Sequence, residues 1–417
     1  MKKIFFLALS VMIFCSACTT TTPQKPVQPK KAAEEKDLDV QMELVALMQL
    51  MEFVREHYVD EDKVTYKQLI QGAMKGMLNN LDPHSNYETP QAYSLTMADT
   101  RGSFAGIGAS VKKNDDGDME ISKVMPKHPA DKAGLKAGDI IVSADGFQLH
   151  GKKLSECVSK LRGERGTSVI LKIRRKNAPL KEFVVKRDII KTPSIVNQGI
   201  LQDKIGYLRI KQFTSTTAKE LAEYLKKYDG KIDRLIIDLR FNPGGQLKVT
   251  VDALSHFLEK GMLVVSVEGR AEGKFRHEAI SCKKYRELPI VVLINEHSAS
   301  ASEIFAGCMK DYKRGTVVGM KSFGKGSVQR IYPMPDGGGA RITIAKYYTP
   351  SRNVIHGKGI TPDVKVKISE DEKRALAELM VKNEETPLPI MKKGYKDAQL
   401  EKAVNVVKSL KKFKMTK

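Results

Sequence analysis

The sequence is poor in cysteine, with 5 in 417 residues, and only Cys157, Cys282 and Cys308 lie beyond position 18. An odd number in so long a chain specifies no disulfide framework, so burial has to hold the core together. His277 and Cys282 stand alone and the other histidines are scattered, so no spacing suggests a metal site. The apolar run near the start, "IFFLALSVMIF", is too short to span a membrane. Internal repeats are missing, as is any recognisable nucleic-acid-binding motif, although the formal net charge is +22.

What the N-terminus does contain is Lys2 and Lys3, that apolar run, and Ser16-Ala17 directly before Cys18, which is the layout of a secretory signal over 1–17. Small residues before a cysteine resemble the bacterial lipobox, in which signal removal leaves a lipidated N-terminal cysteine, here Cys18. Cys15 replaces the usual leucine three places earlier. Export also argues against a nucleic-acid partner. Residues 18–37, "CTTTTPQKPVQPKKAAEEKD", read as a Pro/Thr-rich tether holding a domain off a surface. The expected location is the bacterial periplasm, anchored by lipid. Thr19, where an aspartate is associated with inner-membrane retention, favours the outer membrane. Removing Lys2 and Lys3 with the signal takes +22 to +20, and the remaining charge concentrates at the end, "KKGYKDAQLEKAVNVVKSLKKFKMTK". Residues 371–417 therefore read as a basic helical extension suited to an anionic membrane or a partner.

Between these ends, Val40, Leu44, Leu47, Leu50, Met51, Val54 and Tyr58 follow helical spacing, and "YKQLIQGAMKGMLNNL" continues it, giving an N-terminal helical region over 38–98. Its apolar surface suggests packing on another domain or a second copy, so a homo-oligomer through these helices is one expectation. Residues 99–188 change texture. "GSFAGIGASVKK", the turn "NDDGD" and "MEISKV" read as strand, turn, strand, followed by "HPADKAGLKAGDII", a helix "KKLSECVSKLRG" and two more strands. That order resembles a PDZ domain. In such domains the loop before the second strand aims backbone N–H groups at a peptide's terminal carboxylate while the peptide adds to the sheet edge. Gly106, Ile107 and Gly108 occupy that loop, and Arg162 is placed to add a cation. A tight entry to the strand accounts for the glycines as well, and a solvated surface for the arginine. From 189 to 370, short apolar strands alternate with helices, the pattern of an α/β layer fold.

Chemistry concentrates at three stretches of that last segment. "LPIVVLIN" predicts a buried strand and "SASEIFAGCMKDY" a helix, so Ser298, Ser300 and Ser302 fall where helix N–H groups lack partners. Ser300 and Glu303 fit a capping box, which would make the serine a mere cap. The same junction suits a nucleophile, because the Ala301 N–H can hold an oxyanion. Serine needs a base, and Lys325, between Gly324 and Gly326, fits if burial lowers its proton affinity. A surface lysine or an anion-binding loop is the plainer reading. Gly244 and Gly245 of "LRFNPGG" can complete the oxyanion hole with Ala301, although a Pro-Gly-Gly turn is by itself ordinary punctuation.

Taken in order, "YKQLIQGAMKGMLNNLDPHSNY", the PDZ-like segment, "DLRFNPGG", "SASASEIFAG", "SFGKGSVQ", "YYTPS" and "GKGITPDV" resemble the carboxyl-terminal processing (tail-specific) proteases over about residues 38 to 370. The resemblance implies an α/β and α+β multidomain chain with a crotonase-like core and an inserted PDZ-like domain. It implies a serine endopeptidase with Ser300 as nucleophile, Lys325 as base, Gln329 positioning the lysine, and Ala301, Gly244 and Gly245 at the oxyanion. The implied partners are protein substrates with free C-terminal tails and an adaptor protein, with no metal or organic cofactor. Phe241 and His297 depart from the usual pattern beside the cleft. His297 offers a Ser-His alternative and His84 reads as a structural turn residue. The rival reading is a catalytically silent PDZ-based scaffold of the cell envelope.

Overall fold

The computed structural model describes residues 37–101, 103–191, 193–280, 285–382 and 396–413. The expected signal, Cys18 and the tether up to Lys36 lie outside them, as does Cys282, while Asp37, expected as the tether's last residue, opens the first helix. The chain divides into two units between Ile70 and Gln71. In the first, helix Asp37–His57 carries Leu44, Leu47, Leu50 and Phe53 exposed, and Tyr66 donates to Glu52 Oε1 at 2.6 Å beneath the Arg55 guanidinium. No helix among the described residues is long and apolar enough to cross a membrane.

In the second unit, the segment expected to be PDZ-like forms a sheet in which Ala109–Lys113, Met119–Val124, Ile140–Ala144, Ser168–Arg174 and Lys181–Lys186 pair in that order, all antiparallel. Alternation dictates its core: Val169, Leu171 and Ile173 turn inward while their neighbours face water. The stretch expected as one strand, "GSFAGIGASVKK", is two. Ser103–Gly106 instead pairs with Asp188–Lys191, so the entry and exit of the domain are zipped together. The break falls at Ile107 and Gly108, which leaves Ala109–Lys113 as an edge strand with helix Leu154–Leu161 beside it.

Six strands build the next sheet, in the order Ile195–Leu201, Ile205–Ile210, Arg234–Asp238, Ile290–Ile294, Thr316–Gly319, Val364–Lys365. All pairs but the first are parallel. Parallel strands need cover on both faces, and the wholly apolar Ile290–Ile294 shows why. Ile290, Val292 and Ile294 pack on the core that takes in helices Thr217–Lys227, Leu247–Leu254 and Ala301–Asp311, while Val291 and Leu293 point the other way. That second face is covered by helix Ala398–Ser409, whose Leu400, Ala403 and Val407 are buried. The basic extension expected at the C-terminus thus contains a helix, and that helix packs on the sheet. Its apolar side is spent on the core, and Asp397 at its N-cap reaches the fully buried Arg240 at 2.8 and 2.9 Å. A further sheet joins Asn86–Glu88, Ser327–Pro333, Gly339–Tyr348, Leu263–Gly269 and Gly273–Glu278.

Candidate active site

The strand Ile290–Ile294 runs into helix Ala301–Asp311 through a short turn that carries the three candidate serines. Two of them are committed. Ser298, fully buried, donates to the Leu239 carbonyl at 2.8 Å, and Ser302, equally buried, donates to the Asn242 carbonyl at 3.0 Å. Ser300 is half-buried and sits at φ 55, ψ −113, a backbone setting that costs a non-glycine residue about 1–3 kcal/mol and is held only where surroundings enforce it.

Glu303 is what enforces it. Its side chain is fully buried, and Oε2 accepts the Ser300 N–H at 2.8 Å, which is the glutamate's half of the expected capping box. The same oxygen accepts the Lys325 N–H at 2.8 Å, and Oε1 accepts the Gly324 N–H and the Ser322 hydroxyl, both at 2.6 Å. One carboxylate thus ties the serine turn to the lysine loop, across a gap of sequence that no local pattern could bridge. Burial pushes the Glu303 carboxyl above the usual range, and these hydrogen bonds pull it back. The lysine loop is also pressed against residues 355–357: a Cβ on Gly326 would lie 2.2 Å from the His356 nitrogen. Only glycine fits there.

Lys325 is half-buried, and burial pushes its ammonium below the usual lysine range. The Arg341 guanidinium adds to the fall and the Asp82 carboxylate opposes it. Gln329 takes different partners from those expected: its Nε2 donates to Ser327 Oγ at 2.7 Å and Thr343 Oγ1 at 3.4 Å. The turn expected to cradle an oxyanion does abut the serine, since a Cβ on Gly244 (φ 107) would lie 2.8 Å from Ser300 Cβ and 3.0 Å from the Ala301 nitrogen. The Gly244 N–H, however, is given to Asn242 Oδ1 at 2.8 Å, which corrects its assignment as a donor and leaves Gly245 and Ala301 from the expected set. Phe241 and His297 stack, with centroids 5.3 Å apart and planes at 18°. Asn295 Oδ1 holds both backbones, accepting their N–H groups at 3.0 and 3.2 Å.

His84 is more than a turn residue. Asp82 Oδ1 accepts the His84 and Ser85 N–H groups at 2.7 and 2.9 Å, which makes the turn. Burial and the nearby Lys325 charge then lower the His84 imidazole, whose ring lies edge-on to His356 at 6.3 Å. Asp82, His84, Arg341 and His356 were not picked out as site residues from the sequence. The one signal was the "LDPHSNY" string, which by itself reads as a turn. Among the described residues no group of three or more His, Cys, Asp or Glu could hold a metal ion.

In the PDZ-like region, Gly106 pairs with Asp188. The Ile107 side chain is buried and its carbonyl accepts the Ala130 N–H at 2.6 Å, while the Gly108 carbonyl accepts the Met125 N–H at 3.0 Å. Arg162 caps helix Leu154–Leu161 in extended backbone, half-buried.

Comparison with known proteins places these features. Residues 204–366 match the profile of peptidase family S41, and residues 120–175 match that of the PDZ domain. A carboxy-terminal-processing protease of Bartonella bacilliformis is 37% identical over 401 residues, 94% of this chain and 83% of that protein. The carboxy-terminal processing protease CtpB of Bacillus subtilis is 36% identical over 350 residues, 83% of this chain and 72% of that protein. Among solved structures, a photosystem II D1 C-terminal processing protease shares 26% identity with a TM-score of 0.45, covering 78% of this chain and 93% of that one. With the identity to the Bartonella protein running through both the PDZ and the S41 segments, the chain belongs to the carboxy-terminal-processing proteases of peptidase family S41 and is a serine-type peptidase.

Proposed function

We propose that this peptidase cuts exported or envelope proteins near their C-termini through a Ser300–Lys325 dyad on a crotonase-like core, with the PDZ domain receiving the tail. The supporting observation is the Glu303 carboxylate, which binds the backbone N–H groups of Ser300 and Lys325 on one oxygen and so keeps nucleophile and base in one frame. A substrate tail adds along the edge strand Ala109–Lys113, its carboxylate at the Gly106–Gly108 loop with Arg162 as a nearby cation.

Neutral Lys325, favoured by its burial, removes the Ser300 proton as Oγ attacks the scissile carbonyl. The oxyanion is held by N–H groups of Ala301 and Gly245. The lysine ammonium returns the proton to the leaving amine, and water clears the acyl-enzyme. The Phe241–His297 stack borders this cleft and favours apolar side chains next to the cut. The enzyme is exported, anchored to the membrane through lipidated Cys18, and assembled through its N-terminal helices, with an adaptor engaging those helices or the PDZ domain. On this reading the chain is organised as a signal peptide over 1–17, a tether over 18–37, an N-terminal helical region over 38–98, the PDZ domain over 99–188, the protease core over 189–370 and a basic C-terminal extension over 371–417.

The test uses the chain from residue 38 onward, on an unstructured protein ending in an apolar free C-terminus, with products read by intact mass. Cleavage near the C-terminus should vanish in both Ser300→Ala and Lys325→Ala while both variants still unfold cooperatively. Cleavage that survives Lys325→Ala sinks the dyad and turns attention to His297.

A further inference from the structure

Two of the groups around Lys325, Asp82 and His84, come from a part of the chain that the S41 match does not include. Strand Asn86–Glu88 pairs antiparallel with Gly339–Tyr348, Asn86 facing Arg341. The turn that precedes it therefore lands beside Thr343. There the Thr343 N–H donates to Ser85 Oγ at 3.1 Å, and Ser85 Oγ donates to Asp82 Oδ2 at 2.8 Å. Thr343 also faces Gln329 across the neighbouring strand pair and accepts from its Nε2 at 3.4 Å. From Asp82 to Ser85 to Thr343 to Gln329 the contacts are continuous, and Gln329 lies on the strand that leads directly out of the lysine loop.

We propose that the Asp82–Ser85 turn is a positioning element of the active site: clipped through Ser85 and Thr343 to Gln329, it brings the Asp82 carboxylate to Lys325 against the opposite charge of Arg341, so that the protonation of the base is set from outside the protease core. This rests on Lys325 being the base. The charged and titratable groups near enough to act on Lys325 are Arg341 from the strand Gly339–Tyr348 and Asp82 and His84 from the turn, and His356 lies edge-on to His84. Arg341 is itself held by Glu88, whose Oε1 accepts its Nε at 2.8 Å. Asp82 favours the charged lysine and Arg341 disfavours it, so the two act with opposite signs. The consequence is that the N-terminal segment must dock before the base is correctly tuned.

The experiment measures kcat/KM against pH for the full chain, on the same tail-bearing substrate, in wild type, Asp82→Asn and Arg341→Gln. Asp82→Asn should move the acid limb down by about 0.5 to 1 unit, raising kcat/KM roughly 3- to 10-fold at a fixed pH on that limb. Arg341→Gln should move it up by a similar amount. Ser85→Ala, which breaks the clip, should lower kcat and move the limb in the direction of Asp82→Asn, and Ser85→Thr should restore both by restoring the hydroxyl.

A limb that stays put in both charge variants, or moves the same way in both, overturns the proposal. Each of the two variants tests the sign alone, so misfolding of one leaves the other decisive. Equal losses in Ser85→Ala and Ser85→Thr break the link through Thr343. If Lys325→Ala stays active, the dyad reading has failed and takes this one with it. If Lys325→Ala is dead and the limb is unmoved, this proposal alone has failed.

Discussion

Replacing Glu303 with glutamine separates stability from catalysis. The buried carboxylate receives four donors, two on each oxygen. Glutamine keeps one acceptor oxygen, best turned to the Ser300 and Lys325 N–H groups, because the amide NH2 can then donate to the Ser322 hydroxyl. That leaves the Gly324 N–H unpaired in a buried site, a cost of about 1–3 kcal/mol. An opposing effect comes from charge. Burial raises the Glu303 carboxyl above its unfolded value, so the folded state holds its proton more tightly and stability falls as pH climbs through that interval. A neutral side chain escapes this penalty. The net loss of global stability near neutral pH should therefore be less than about 2 kcal/mol. If the 1–3 kcal/mol is instead lost from the positioning of the Lys325 loop in the transition state, kcat falls by about 5- to 150-fold. Urea unfolding and kcat on one preparation give both numbers. A kcat within about twofold of wild type would refute the coupling role of Glu303.

The other predictions concern the oxyanion turn, the C-terminal helix and the base. Gly244→Ala puts a Cβ 2.7 Å from the Ala299 carbonyl oxygen and 2.8 Å from Ser300 Cβ, at a φ that disfavours alanine. It should cost about 10²–10³ in kcat with an unchanged circular dichroism spectrum; a loss under tenfold argues against this turn lying at the reacting carbonyl. Asp397→Ala strips one of two carboxylates from the fully buried Arg240 and should destabilise by about 3–5 kcal/mol, measured by urea unfolding. A change below about 1 kcal/mol would mean that Asp238 suffices. For Lys325, the folded-state value is lowered, so the folded chain sheds this proton before the unfolded chain does and stability rises with pH over that interval. Lys325→Met should thus be inactive yet melt above wild type at mildly acidic pH, with the gap narrowing as pH rises. A gap that widens with pH contradicts the sign of the shift.

Much of the fold was legible because periodicity reports burial. The runs "RLIIDLR" and "LPIVVLIN" read as buried strands and appear as Arg234–Asp238 and Ile290–Ile294, since only a parallel, doubly covered sheet accommodates unbroken aliphatics. The helices Thr217–Lys227 and Ala301–Asp311 likewise follow their patterns. Local pattern failed where pairing is remote. "GSFAGIGASVKK" looks like one strand because nothing nearby shows that Asp188–Lys191 will claim its first half. The basic face of the C-terminal helix is visible in sequence, whereas the sheet face that buries Leu400, Ala403 and Val407 is assembled from residues far upstream.

Sequence by itself determined the chemical inventory: a serine at a strand-to-helix junction, a glycine-flanked lysine, a Pro-Gly-Gly turn and their order along the chain. Tertiary structure set Ser300 apart from its neighbours, by committing Ser298 and Ser302 to backbone carbonyls. It also gave the Gly244 N–H to Asn242 Oδ1 and gathered Asp82, His84 and Arg341 around Lys325. The division has a physical cause. Backbone preference and side-chain period act over a few residues and leave a trace in sequence, but hydrogen-bond competition and charge proximity depend on distances that exist only once the chain has folded.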